Sequence, residues 1–243
     1  MNELLARVID VHGGLDRWNE LTSVSARVLG GGGLWVLKGQ DGVLNDVVTR
    51  VELHRQVART APFGGPGLRS VVTPDRAAIE TEAGEVVEER IHPRDAFAGH
   101  DVNTPWDRLH LAYFNGYAMS NYLTEPFLLA GPGFQIEELQ PHREDGEVWR
   151  PLKVVFPDDV ATHSREQIYY VDDAGHIRRH DYVTDVLGPN APVAANYSFD
   201  PQEFDGILVP TRRLVYLTDG QGNVAKDTVI VSIELRDVTF SKE

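Results

Sequence analysis

The sequence contains no cysteine, which excludes disulfide bonds, thiolate catalysis and any metal site built on sulfur. Positive charge is also short: 23 Lys and Arg stand against 37 Asp and Glu, a formal net charge of -14. That balance argues against a nucleic-acid backbone or an anionic membrane surface as the main partner. The opening MNELLARVIDVHGG has neither a basic region nor a long apolar run. No export signal is visible there, and the expected compartment is the cytoplasm. No HExxH or other close-spaced ligand pair occurs, so neither a metal nor another cofactor is expected. GxSxG is absent too. Gly30–Gly33 lacks the following Lys-Ser/Thr and helix of a phosphate loop, and reads as a flexible hairpin turn.

Against these absences stands one dense segment, TPWDRLHLAYFNGYAMSNYLTEPF, residues 104–127. Its spacing predicts a central helix over about 104–123, with Thr104 as N-cap, Pro105 in the first turn and Asp107 near the positive end of the dipole. At about 100° per residue, Trp106, Leu109, His110, Tyr113 and Tyr117 share one face, and Leu111, Phe114, Ala118 and Tyr122 extend it. A helix this apolar is expected to be buried on most sides, and it is too interrupted to span a membrane. Pro126 and Gly131–Gly133 close it.

The rest reads as strands. An amphipathic helix over Asn2–Val11 and a short one over 15–21 lead into strands near 22–29, 34–39, 46–58, 68–73, 76–81 and 85–91. After the central helix, strands are predicted near 134–140, 147–155, 162–171, 176–186, 193–199, 205–217 and 227–240. Turns at Asp145-Gly146, Asp173–Gly175, Asp205-Gly206 and Asp219-Gly220 suit hairpins. Spacing this short leaves no room for parallel crossovers. The fold class is therefore mainly β (α+β), a curved antiparallel sheet, in one domain over 1–243. Trp35 and Trp149 read as strand cores, His100-Asp101 as turn formers, and Glu137-Glu138 and Asp158-Asp159 as solvated charge.

The hairpin over 162–186 carries the most chemistry. A turn at Asp172–Gly175 would pair Val171 with His176, Gln167 with His180, Arg165 with Tyr182, Tyr169 with Arg178 and His163 with Thr184, all on one face. If that face lines a cavity, His180 could act as general acid or base, Tyr169 and Tyr182 could orient a ligand, and Arg165 or Arg178 could hold a carboxylate. If it faces solvent, it is an ordinary polar sheet face. His110 carries the same two readings: a histidine satisfied by a carbonyl, or one meeting His163 and His180 across a cavity.

The opening HGGLDRWNELTSVSA, the run of hairpins and the late FDGILVPTRRLVY resemble the LolA-like family, the fold of outer-membrane lipoprotein carriers. HPRDAFAGH together with TPWDRLHLAYFNGYA resembles an uncharacterised bacterial branch of that fold. The resemblance implies an incomplete antiparallel barrel closed by helices, with an apolar cavity between them. Carriers of the family are exported, and this chain shows no export signal, so lipoprotein shuttling is not carried over. The leading expectation is binding of an apolar or amphipathic small molecule or lipid between sheet and central helix. Trp106, Tyr113, Tyr117 and Phe127 would shape the pocket, and Arg165, Gln167, Tyr169, Arg178 and Tyr182 would orient the polar end. The rival is a cofactor-free enzyme for proton transfer, cyclisation or hydrolysis, using His110, His163 and His180. A third reading is an interaction module that offers an open sheet edge.

Overall fold

The computed structural model describes residues 1–219 and 223–242. Gly220 of the expected Asp219-Gly220 turn lies outside the described residues. Two short helices come first, α1 (Glu3–Val11) and α2 (Gly14–Asn19). The Asn2 side chain accepts from the Leu5 N–H at 3.1 Å and caps α1, whose Leu4, Leu5, Val8 and Ile9 are buried. Next come β1 (Ser23–Gly31), α3 (Gly33–Leu37), β2 (Val47–Glu52), β3 (Ala58–Ala61), β4 (Leu68–Thr73), β5 (Arg76–Thr81) and β6 (Val86–Ile91). The central helix is α4 (Arg108–Thr124). After it follow β7 (Gln135–Glu138), β8 (His142–Glu144), β9 (Glu147–Val155), β10 (Glu166–Val171) and β11 (Ile177–Val183). The chain closes with β12 (Val193–Phe204), β13 (Ile207–Leu217) and β14 (Val231–Ser241).

Among the described residues the strands form one curved antiparallel sheet, not closed into a barrel. Its order runs β6-β5-β4-β3-β2-β1-β14-β13-β12-β11-β10-β9-β7, with β8 paired only to β9. Two meanders thus meet at a central seam, where β1 pairs with β14. α4 packs against β2 to β6 and fills the concavity. Every residue from Leu109 to Thr124 is buried. That burial on all sides explains why polar residues are scattered around the helix: each finds a partner inside, as Asn115 does by donating to Thr60 Oγ1 at 3.2 Å. Gly116 permits the closest approach, since a Cβ there would sit 2.5 Å from the Cβ of Val72 on β4.

Three sequence expectations are corrected here. Residues 34–39 are not a strand, because Gly32 (φ +114°) turns the chain over Ile230, whose carbonyl oxygen would lie 2.3 Å from any Cβ. The segment beyond coils into α3 and buries Leu34 and Trp35, so Gly30–Gly33 is followed by a helix after all, though still by no Lys-Ser/Thr. The span 46–58 is not one strand but the hairpin β2–β3. Finally, α4 begins three residues late. Asp107, not Thr104, is its N-cap, and accepts from the His110 N–H at 2.8 Å while the Asp107 N–H donates to His110 Nδ1 at 3.2 Å. β8 is an addition the sequence did not suggest.

Candidate functional site

The β10–β11 hairpin decides which side chains enter the interior. The Asp172 N–H donates to the His176 carbonyl at 3.0 Å, so the loop is only Asp173–Gly175, and Asp172 Oδ1 accepts from the N–H groups of Ala174 and His176, at 3.0 and 2.9 Å. Val171 therefore faces Ile177 rather than His176, and a bulge follows. Beyond it the pairs are Tyr169 with His180 and Gln167 with Tyr182, two residues away from the expected register. Because the shift is even, Gln167, Tyr169, His180 and Tyr182 stay on one face. That face is the inner one, and all four are buried.

The arginines leave this group. Arg178 sits at the bulge and turns outward, with its guanidinium 5.7 Å from the Trp149 ring centroid and paired with Glu147 and Asp172 at 3.3 Å. Arg165 precedes β10, is exposed, and pairs with Asp158 at 2.9 Å. Neither reaches the interior, so the expected carboxylate clamp is absent there. Trp149 itself lies in an outer-face cluster with Tyr170, Tyr197 and Tyr216.

Inside, two hydrogen-bonded groups adjoin. In the first, His163 stacks on Tyr182 with ring centroids 4.0 Å apart. Its Nε2 meets the Tyr122 hydroxyl at 2.8 Å, its Nδ1 meets the Tyr117 hydroxyl at 3.3 Å, and the hydroxyls of Tyr122 and Tyr182 are 2.7 Å apart. Burial, with a smaller push from Arg94, lowers the His163 pKa to about 3, so the ring is neutral. In the second, His180 stacks on Tyr169 at 3.9 Å and its Nε2 bonds to Gln167 Oε1. Gln167 Nε2 already donates to Thr162 Oγ1 and to the Ser164 carbonyl, which leaves Oε1 as the acceptor. The proton of neutral His180 must therefore sit on Nε2. Burial first, then His163 and Arg213, hold the His180 pKa well below the usual histidine range.

A charged pair lies beside them. Tyr169 donates to Glu125 Oε1 at 2.8 Å, and Arg213 Nη2 is 3.5 Å from Glu125 Oε2. Burial raises the Glu125 pKa, against the pull of Arg213. Burial likewise drives the hydroxyls of Tyr117, Tyr122 and Tyr169 up, and that of Tyr182 to about 12. None of these tyrosines ionises near neutral pH.

The remaining expected residues are dispersed. His110 is far from His163 and His180 in role: it closes the start of α4, with Nε2 donating to the Ala96 carbonyl at 3.2 Å and its ring beside Phe97 and His100. Trp106 lies before α4 and packs against Phe97 and Phe114, with Lys38 Nζ 5.1 Å from its ring centroid. Tyr113 borders a polar surface cleft of about 500 Å³ that also holds Arg94, Asp75 and Asp185. Phe127 stacks on Trp18 at 4.2 Å in a second cleft, of about 490 Å³, near the end of α4. Glu125, Arg213 and Asn196 were missed. Arg213 had a signal, since Ile207, Val209, Thr211, Arg213 and Val215 alternate on one buried face of β13 and Arg213 is its one charged residue.

Between α4, β1, β13 and β14 lies a small enclosed chamber of about 30 Å³. Trp35, Leu44, Met119, Val215 and Ile233 form apolar walls, and Asn115, Tyr122, Tyr182 and Ser232 also line it. Among the described residues no three His, Asp or Glu side chains are placed to hold a metal ion, and no helix is long and apolar enough to cross a membrane.

No family model and no curated protein sequence matches the chain. Solved structures do. A DUF1329 family protein from Desulfovibrio piger is similar at 10% identity and TM-score 0.55, over 98% of this chain and 94% of that one. A LolA superfamily protein from Nitrosomonas europaea is similar at 10% identity and TM-score 0.52, over 97% and 91%. The fold is LolA-like: an open antiparallel barrel with helices set against it.

Proposed function

We propose that the protein binds an apolar or amphipathic small molecule or lipid between its sheet and α4. The observation that carries this reading is the chamber, whose lining is almost wholly apolar and includes the Tyr122 and Tyr182 side chains, their hydroxyls bonded to each other. Apolar walls with a few converging polar groups are the common design of small-molecule sites. Its volume of about 30 Å³ is small beside the roughly 300–1,000 Å³ such sites hold, so uptake requires the chamber to widen. α3 lies along that wall and is followed by buried Lys38, whose Nζ donates to the Asp101, Val102 and Thr104 carbonyls. The helix contributes Trp35 to the wall, spans five residues, and has glycines at both ends, Gly33 and Gly39. Its outer side chains, Val36 and Leu37, are exposed.

Native mass spectrometry of purified protein, followed by organic extraction, tests the reading. A retained apolar molecule is expected, and adding it back to stripped protein should shift tryptophan emission in the parent but not in Trp35→Phe. An empty protein whose emission and melting temperature no alkyl or lipid probe changes would sink it.

A second reading, cofactor-free proton transfer, draws on the continuous chain Tyr117–His163–Tyr122–Tyr182, with links of 2.7–3.3 Å. Here Tyr182→Phe should abolish turnover of the retained molecule while leaving it bound. Chemically unchanged ligand after prolonged incubation counts against this reading.

A further inference from the structure

Two fully buried polar side chains next to the chamber residues Tyr182 and Val215 have hydrogen-bonding capacity that the fold does not use. His180 Nδ1 has no partner among the described residues, and neither terminal atom of Asn196 makes a hydrogen bond of normal geometry, its one polar neighbour being the Tyr182 hydroxyl. Buried polar atoms are nearly always paired, and an orphan costs stability, so three in one place call for a reason. The two residues are direct cross-strand partners on β11 and β12, both on the inner face. Such neighbours have Cβ atoms about 5 Å apart, close enough for both side chains to touch one oxygen atom. Asn196 also pairs with Val215 across β12–β13, and Val215 is a chamber wall. The orphaned atoms therefore adjoin the place where a ligand tail would end.

Their chemistry restricts the ligand. With the proton of His180 on Nε2, Nδ1 presents a bare lone pair that needs a donor. Asn196 offers one donor and one acceptor. A carboxylate head would bring only lone pairs to Nδ1, with Glu125 Oε1 already 3.7 Å from that atom. An ammonium head would meet the Arg213 guanidinium, which holds Glu125 at 3.5 Å and Ser198 at 3.2 Å. A hydroxyl meets neither obstacle: its O–H donates to His180 Nδ1 while its oxygen accepts from Asn196.

We propose that the ligand is a neutral alcohol with an apolar body, its hydroxyl bound between His180 and Asn196 and its tail in the chamber beside α3. This rests on the reading of the interior as a ligand site and narrows it to one chemical class. It also assigns His180 and Asn196 as specificity-determining residues.

The test titrates decanol, methyl decyl ether and decanoate into stripped protein, with bound fraction read by native mass spectrometry. Decanol should bind about tenfold tighter than the ether, the equivalent of one buried hydrogen bond, and tighter than decanoate. In Asn196→Leu the alcohol's advantage should shrink several-fold, with ether binding unchanged. The same variant should melt at or above the parent temperature, because it removes orphaned polar atoms. A merely structural Asn196 would lower it. Equal binding of alcohol and ether, or tighter binding of decanoate, overturns the alcohol assignment and leaves the ligand site standing. Binding of no probe overturns both.

Discussion

Tyr122 joins the two halves of the interior. Its hydroxyl meets His163 on one side and Tyr182 on the other, and its ring lies 4.6 Å from the Arg213 guanidinium carbon. Tyr122→Phe keeps the ring and removes both hydrogen bonds. It leaves a buried His163 nitrogen and a buried Tyr182 hydroxyl without that partner, so a loss of about 1–3 kcal/mol is expected in urea denaturation at pH 7. A change below the error of the method would mean that these groups find other partners. His163 itself was legible as a chemically interesting residue, yet its partners were not, because they come from α4, more than forty positions away. Sequence alternation assigns a face but does not say what stands opposite it. Glu125 illustrates the same limit: beside Pro126 it reads as a helix end, and only the tertiary fold sets it against Arg213.

At the scale of elements, α4 depends on Gly116. A methyl group there would fall within 2.8 Å of three Val72 side-chain atoms on β4, so the helix must shift or β4 must give. Gly116→Ala should cost about 1–3 kcal/mol despite alanine's better helix propensity. Val72→Ala combined with it should recover part of the loss, giving a coupled double-mutant cycle; strict additivity of the two melting-temperature changes would refute the contact. The strands were largely legible, since β4 and β13 follow alternating patterns bounded by turn residues. The errors arose where backbone freedom outweighed pattern. At Gly32 the chain turns aside before Trp35 can continue the strand, and in the β10–β11 hairpin the turn closing on Asp172 and His176 moves the register by one and the bulge at Arg178 by one more. The aromatic helix was found, but its start was misplaced because Thr104 and Pro105 match a helix start as well as Asp107 does.

For the whole molecule, buried histidines tie stability to acidity. His12, at the end of α1, is buried and its pKa falls to about 4, chiefly through desolvation, while that of His163 falls to about 3. In the unfolded chain both take up a proton below about pH 6.5, and in the fold neither does until pH 4 or lower. Their stabilising contribution is therefore complete above about pH 6.5 and shrinks as pH falls toward 4. At pH 5 the loss is about 2 kcal/mol per histidine, which urea denaturation at pH 7 and pH 5 can measure. Glu125 acts in the opposite sense, since its raised pKa favours the fold at acid pH and offsets part of that loss. A stability that rises between pH 7 and pH 5 would contradict the balance. The seam between β1 and β14 has a different consequence, one of timing. It pairs Ser23 with Ser241, and more than two hundred residues lie between them. Each meander can assemble from near neighbours, but the strands that join them wait until almost the whole chain has been synthesised. Closing so long a loop is slow. Until it happens, β1 keeps one edge unpaired and open to pairing with another copy.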